Sequence, residues 1–160
     1  EGSGTPAFRL VTNMLDLATI PGSLDLMVVA RVSIAGAAAQ WGVLRVDPGG
    51  NLTHVAGGGS DPSSDGIDAR MARFGSPPDI AVLASGDVVV AIPTTDGPVI
   101  RLIDAATGTI RTLSGAIGVT MDAGDGGPAA AGRFYALAFA EPWLGTHILV
   151  SDGESLRAIW

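Results

Sequence analysis

Cysteine and lysine are both missing from this 160-residue chain. The first absence excludes disulfides and thiolate metal sites, so any fold must rest on its apolar core. It does not choose a compartment; a secreted or extracellular setting is only slightly favoured. The second leaves nine arginines against sixteen acids, a net charge of −7 and no basic run. That is a poor electrostatic footprint for phosphate contacts, and no nucleic-acid partner is expected. Long apolar runs are absent as well. Segments such as residues 88–92 are interrupted within a few positions by Pro, Asp or Gly, well short of the roughly 18 residues that span a bilayer, so no membrane span is expected. Residues 1–6 show neither a basic segment nor an apolar stretch, and no signal peptide is visible. Histidine, the usual general base and metal ligand, occurs only as His54 and His147.

What is present is an apolar chain, 47% hydrophobic and only 16% charged, with 23 Gly and 10 Pro. Its length suits one domain with a sizeable core. So much Gly and Pro among β-branched residues predicts an all-β fold of short strands and tight turns.

An internal repeat organises the sequence. Asp65, Gly66, Ala69, Arg73 and Phe74 recur as Asp125, Gly126, Ala129, Arg133 and Phe134 at a constant spacing of 60 residues. Phe74 is followed by four β-branched-rich runs, residues 79–82, 87–91, 99–104 and 109–113, separated by turn chemistry at 84–86, 93–98 and 105–108. One repeat therefore reads as a four-stranded meander. The same order is visible upstream, where Val43-Leu44-Arg45-Val46 aligns with Val99-Ile100-Arg101-Leu102, and downstream, where residues 135–139, 147–150 and 155–159 supply three more strands with Arg157 in the Arg101 position. Residues 7–11 resemble a fourth strand and are a candidate closing strand.

These residues resemble the NHL-repeat family. The likeness rests on Gly124-Asp125-Gly126-Gly127-Pro128-Ala129, Phe134, Ile100-Arg101, Leu156-Arg157, Thr107-Gly108-Thr109-Ile110 and Leu113-Ser114-Gly115. It implies a β-propeller of four-stranded blades: 1–12 as the closing strand, 13–57 as blade 1, 73–115 as blade 2 and 133–160 as an incomplete blade 3. The family's second strand tends to end in Asp, which Asp152 matches and Ala30-Arg31 and Ile92-Pro93 do not. Rings of this type usually have six blades, so about three blades are half a ring or a fragment. A second copy or a companion chain is expected to complete it.

Little in the sequence points to catalysis. There is no nucleophile elbow, phosphate loop or His-Glu-x-x-His. Asp122 and Asp125 are weak candidates for a calcium site, although their spacing does not form a full calcium loop and no cofactor is otherwise expected. Arg45, Arg101 and Arg157, at one repeated strand position, form a candidate ring for an anionic ligand; the competing reading pairs each with a neighbouring carboxylate. Trp41 and Trp143, in loop-like contexts beside Gly, are candidates for partner binding, against inter-blade packing as the plainer use, which is also expected of Trp160. The functional expectation is a non-enzymatic module that binds a protein or ligand through the loops 58–73, 116–133 and 32–41. The alternative is a lactonase- or lyase-type propeller enzyme with a divalent metal in the central channel.

Overall fold

A computed structural model describes residues 8–34, 38–94, 97–119, 123–134, 139–143, 147–151 and 155–159. Strands β1 (Phe8–Thr19), β2 (Leu26–Ile34), β3 (Gln40–Val46) and β4 (Leu52–Gly57) form one antiparallel meander. The second sheet contains β5 (Ile67–Asp68), β6 (Asp79–Val82), β7 (Val88–Ile92), β8 (Val99–Ile103) and β9 (Thr109–Gly115), in the order β5-β9-β8-β7-β6. The third holds β10 (Phe139–Trp143), β11 (His147–Ser151) and β12 (Leu156–Ile159). Two short 3-10 turns, η1 (Ala69–Met71) and η2 (Ala129–Ala131), sit in the loops that join one sheet to the next, at the same place in the 60-residue repeat. The protein is all-β, and its consecutive meanders stack as blades of a β-propeller fragment.

The sequence of each strand reflects how many of its faces are covered. In β7 and β8 every residue is buried, and both read as unbroken apolar runs apart from Arg101. The reason is that this sheet packs on both sides. Toward the first blade, Val88, Val90, Ile92, Val99 and Ile103 meet Met27, Val29, Val43 and Ala56. Toward the third, Val89, Ala91, Ile100 and Leu102 meet Phe134, Ile148, Val150 and Ile159. Strand β11 alternates buried and half-buried residues, as expected of a sheet covered on one face.

Aspartates fix the tight turns at one end of the blades. Asp104 Oδ1 accepts from the N–H groups of Ala106 and Thr107, at 2.9 and 2.8 Å, and Asp47 does the same for Asn51 at 2.8 Å. Asp87 Oδ1 accepts from the Ala105 N–H at 2.9 Å and ties two neighbouring turns together. At the other end lie the long inter-blade loops. The fourth strands β4 and β9 reach that end in glycines with positive φ, 80° at Gly57 and 86° at Gly115. A Cβ at either would collide with backbone carbonyls, of Trp41 and of Pro98 respectively.

The structure corrects several strand assignments. Residues 8–11 are not a separate closing strand. They belong to β1 and pair with β2, Phe8 opposite Ile34 and Arg9 opposite Ser33, with two register irregularities before Asp16. In β1 the chain passes from this segment straight into the first strand of the blade, with no loop that could carry it across to an outer edge. Trp41 lies within β3, and the β2–β3 connection is shorter than residues 32–41, because Gly42 lets Val32 and Ala56 approach closely enough for the strands to continue pairing. Trp143 ends β10 rather than lying in a loop, and that strand begins at Phe139; residues 135–138 lie outside the described part.

Candidate functional site

The repeated loop is built around an Arg–Asp clasp. Asp61 Oδ1 accepts from the N–H groups of Ser63 (3.0 Å) and Ser64 (2.7 Å), turning the chain so that Asp65 points at the outer strand β9. Asp65 Oδ1 accepts from the Thr112 N–H at 2.7 Å, the Thr112 hydroxyl at 3.0 Å and Arg101 Nη2 at 3.1 Å. Arg101 Nη2 also donates to the Ser64 carbonyl at 2.5 Å. The N–H of Gly66 donates to the Ile110 carbonyl, and that of Ala69 to the Gly108 carbonyl, so β5 and the loop hold β9 from outside. Arg101 is 1% exposed, and its Nε and Nη1 have no hydrogen-bond partner among the described residues. Among the described residues Asp65 is its ion-pair partner, and the Asp61 carboxylate also interacts with its charge.

The next repeat keeps half of this arrangement. Arg157 Nε lies 3.0 Å from Asp125 Oδ1, Nη1 donates to the Arg133 carbonyl at 2.7 Å, and the guanidinium stands 5.4 Å from the centre of the Phe134 ring. Phe74 and Phe134 are both buried, at 2% and 1% exposure. Arg133 folds back on its own loop, donating to the carbonyls of Ala130 and Gly132.

Arg45 does not belong to the set. In the strand ladders Val28 pairs with Leu44, Val90 with Arg101 and Val150 with Arg157. A bulge precedes Leu44 in the β3–β4 ladder and Arg101 in the β8–β9 ladder. Leu44 is therefore the structural counterpart of Arg101, and Arg45 stands one residue on, with its side chain on the opposite face of the sheet. There it forms an ion pair with Asp25 and remains 52% exposed. Each of the three arginines thus has an aspartate, but only two share a geometry.

The remaining candidates are dispersed. Trp41 is half-buried against the first inter-blade core, bridges to Phe74 and lies under the Arg31 guanidinium at 5.5 Å. Trp143 faces His147 across the β10–β11 ladder. Asp122 and Trp160 lie outside the described residues, as does the side chain of Trp143. His54 Nε2 is 3.1 Å from the Ala56 carbonyl, and burial holds its pKa below the usual 6.5. Among the described residues no three His, Cys, Asp or Glu side chains come together as a metal site.

The feature that sequence reasoning did not single out is a hollow at the loop end of blade 2. One part, about 400 Å³, is lined by Pro62, Ser63, Val99, Arg101, Thr112 and Ile117, among others. An adjoining part of about 210 Å³ shares Pro62, Val99 and Ile117 and adds Arg73, Ser76 and Thr94. Arg73 is exposed, and its guanidinium makes no hydrogen bond or ion pair with any described residue, unlike its repeat counterpart Arg133. Ile117 is 43% exposed. The sequence marked Arg73 as a repeat residue and as the end of the candidate loop 58–73; its freedom depends on the loop path that leaves it at the rim.

No family model and no curated protein matches the chain. Among solved structures, a structural genomics protein of unknown function from Bacteroides thetaiotaomicron is similar in fold, with a TM-score of 0.63 and 15% identity over 91% of this chain. The chain spans 46% of that protein's length, and the likeness concerns the fold alone.

Proposed function

We propose that the chain is a non-enzymatic recognition module of an NHL-like propeller, and that the loop-end hollow of blade 2 binds a small carboxylate or a short acidic peptide segment. One observation carries the reading. A free cation, Arg73, stands at the rim of a hollow whose wall combines apolar Pro62, Val99 and Ile117 with the hydroxyl-bearing Ser63, Ser76 and Thr94. Small-ligand sites commonly take this form, a concave apolar wall with a few convergent polar groups. An unpaired arginine supplies a charge-assisted donor to a carboxylate without first breaking an internal bond.

Titration of isotope-labelled protein with short acetylated acidic peptides tests this. The expected result is saturable shifts at Ser63, Thr94 and Ile117. Arg73→Ala weakens binding roughly tenfold or more, the equivalent of losing one hydrogen bond to a charged group. Arg133→Ala leaves binding unchanged. Absence of shifts at the hollow, or equal binding by Arg73→Ala, overturns the assignment. A stoichiometric divalent metal in the purified protein would instead favour the propeller-enzyme alternative.

A further inference from the structure

Two cationic groups line the hollow at the loop end of blade 2, and they differ in what they still need. Arg73, on the smaller part, is exposed and has no carboxylate partner among the described residues. Arg101 is the opposite case. It stands in the middle of β8, lines the larger part and is 1% exposed. Its Nη2 donates to the Ser64 carbonyl and to Asp65, and the Asp61 carboxylate also interacts with its charge. That charge is already answered, whereas Nε and Nη1 have no acceptor among the described residues. Thr112, on the same wall, gives its hydroxyl to Asp65. Buried donors are rarely left unfilled in native proteins, so the inner part calls for an acceptor. With two carboxylates close by, a neutral oxygen suits that place better than a third negative charge. Pro62, Val99 and Ile117 border both parts and give them a common apolar wall.

We infer that this hollow takes an N-acylated α-amino acid with a short acyl group and an aliphatic side chain. The carboxylate sits at the rim on Arg73, whose guanidinium can offer it two parallel N–H donors. The acyl carbonyl accepts from Arg101, and the side chain lies against Pro62, Val99 and Ile117. Burial sets this order, because the exposed arginine is the one without a counter-charge and the buried one needs only a neutral acceptor. The acyl group is short because a chain has nowhere to continue beyond a guanidinium that is 1% exposed. That sets the ligand apart from the carboxyl terminus of a longer polypeptide. The inference rests on the proposed function and names which small carboxylate the same hollow takes.

Arg101 also holds the clasp, so its contact is tested by changing the ligand and not the residue. Isotope-labelled protein is titrated with N-acetylleucine, and saturable shifts are expected at Ser63, Thr94, Ile117 and the Arg101 Nε–H resonance. 4-Methylpentanoate keeps the carboxylate and the branched chain but lacks the amide. It is expected to bind roughly tenfold more weakly and to leave the Arg101 Nε–H unmoved. Isobutylsuccinate is closely isosteric with N-acetylleucine but puts a second carboxylate in place of the acetyl carbonyl; it too binds more weakly, because that charge faces Asp61 and Asp65. Acetyl-Gly-Gly-Leu, which imitates a polypeptide terminus, is expected to lose roughly tenfold. Arg73→Ala weakens N-acetylleucine by a similar factor while amide exchange in β7, β8 and β9 stays slow. Equal or tighter binding of isobutylsuccinate would mark a dicarboxylate site, and equal binding of the tripeptide a site for polypeptide ends. Either result overturns the inference, as does an Arg101 Nε–H that N-acetylleucine leaves in place. Acetylated acidic peptides with amidated carboxyl ends separate this from failure of the broader reading. If they shift the hollow and N-acetylleucine does not, the inference alone falls; if neither does, the proposed function falls with it.

Discussion

Arg45 and Arg101 show how much one residue of register changes at the scale of a side chain. Both pair with an aspartate, but Arg101 is 1% exposed while Arg45 is about half exposed. A pair with both partners exposed, such as Arg70 with Asp68, contributes little beyond about 1 kcal/mol, because water screens it. Removing the ion-paired carboxylate from a buried guanidinium leaves a poorly compensated charge. Asp65→Ala is therefore expected to cost about 3 kcal/mol, with the loss of the Thr112 bonds included, even though Asp65 itself is 53% exposed. Arg70→Ala is expected to stay within about 1 kcal/mol of the parent. Urea unfolding midpoints of the two variants check both values, and equal losses would mean that the clasp is not a structural unit.

Among the elements, the two fourth strands end on glycines for a steric reason, and the turn glycines serve a different one. At Gly115 the φ of 86° coincides with a close approach to Pro98, whereas at Gly108 a φ of 71° has open space around it. Gly108→Ala should cost only the left-handed conformation, about 1 kcal/mol. Gly115→Ala carries that cost plus displacement of the β8 backbone, and about 2 kcal/mol or more is expected. Thermal unfolding of the pair measures the difference. If the two substitutions proved equal, the close packing of β9 against the start of β8 would be wrong.

Over the whole molecule, acid is the condition to which this fold should be sensitive. Backbone donation from Ser64 holds the Asp61 carboxyl below the usual 3.8, and donation from Thr107 does the same for Asp104; the Asn51 side chain does so for Asp47. A carboxylate whose pKa is lowered by folding contributes stability that is complete above 3.8 and is lost as the pH falls through its folded value. His54 acts in the same direction by a different route. Burial lowers its pKa below 6.5, so under more acidic conditions the unfolded chain takes up a proton that the folded form resists. Stability is thus expected to begin falling below 6.5 and to fall more steeply below 3.8. Denaturant midpoints recorded from roughly pH 8 to pH 3 test this, and a flat profile would contradict the turn geometry.

The 60-residue repeat, the all-β class and the order of strands within a blade were legible in the sequence, because turn residues and β-branched runs are local signals that each stretch of chain carries for itself. Asp65 and Asp125 were legible as a repeated pair for the same reason. What the sequence could not decide was which residues stand opposite one another. Aligning Arg45 with Arg101 ignored the bulges before Leu44 and before Arg101, and a bulge has no reliable local mark. The short strand β5 was invisible because Ile67-Asp68 is a strand only by virtue of β9 beside it. Trp41 read as a loop residue because Gly42 resembles a turn signal, when its actual use is to let neighbouring strands close in. The free Arg73 depends on where loops run after the blades have stacked. Stacking is settled by side chains far apart in the chain, and only the tertiary structure brings those together.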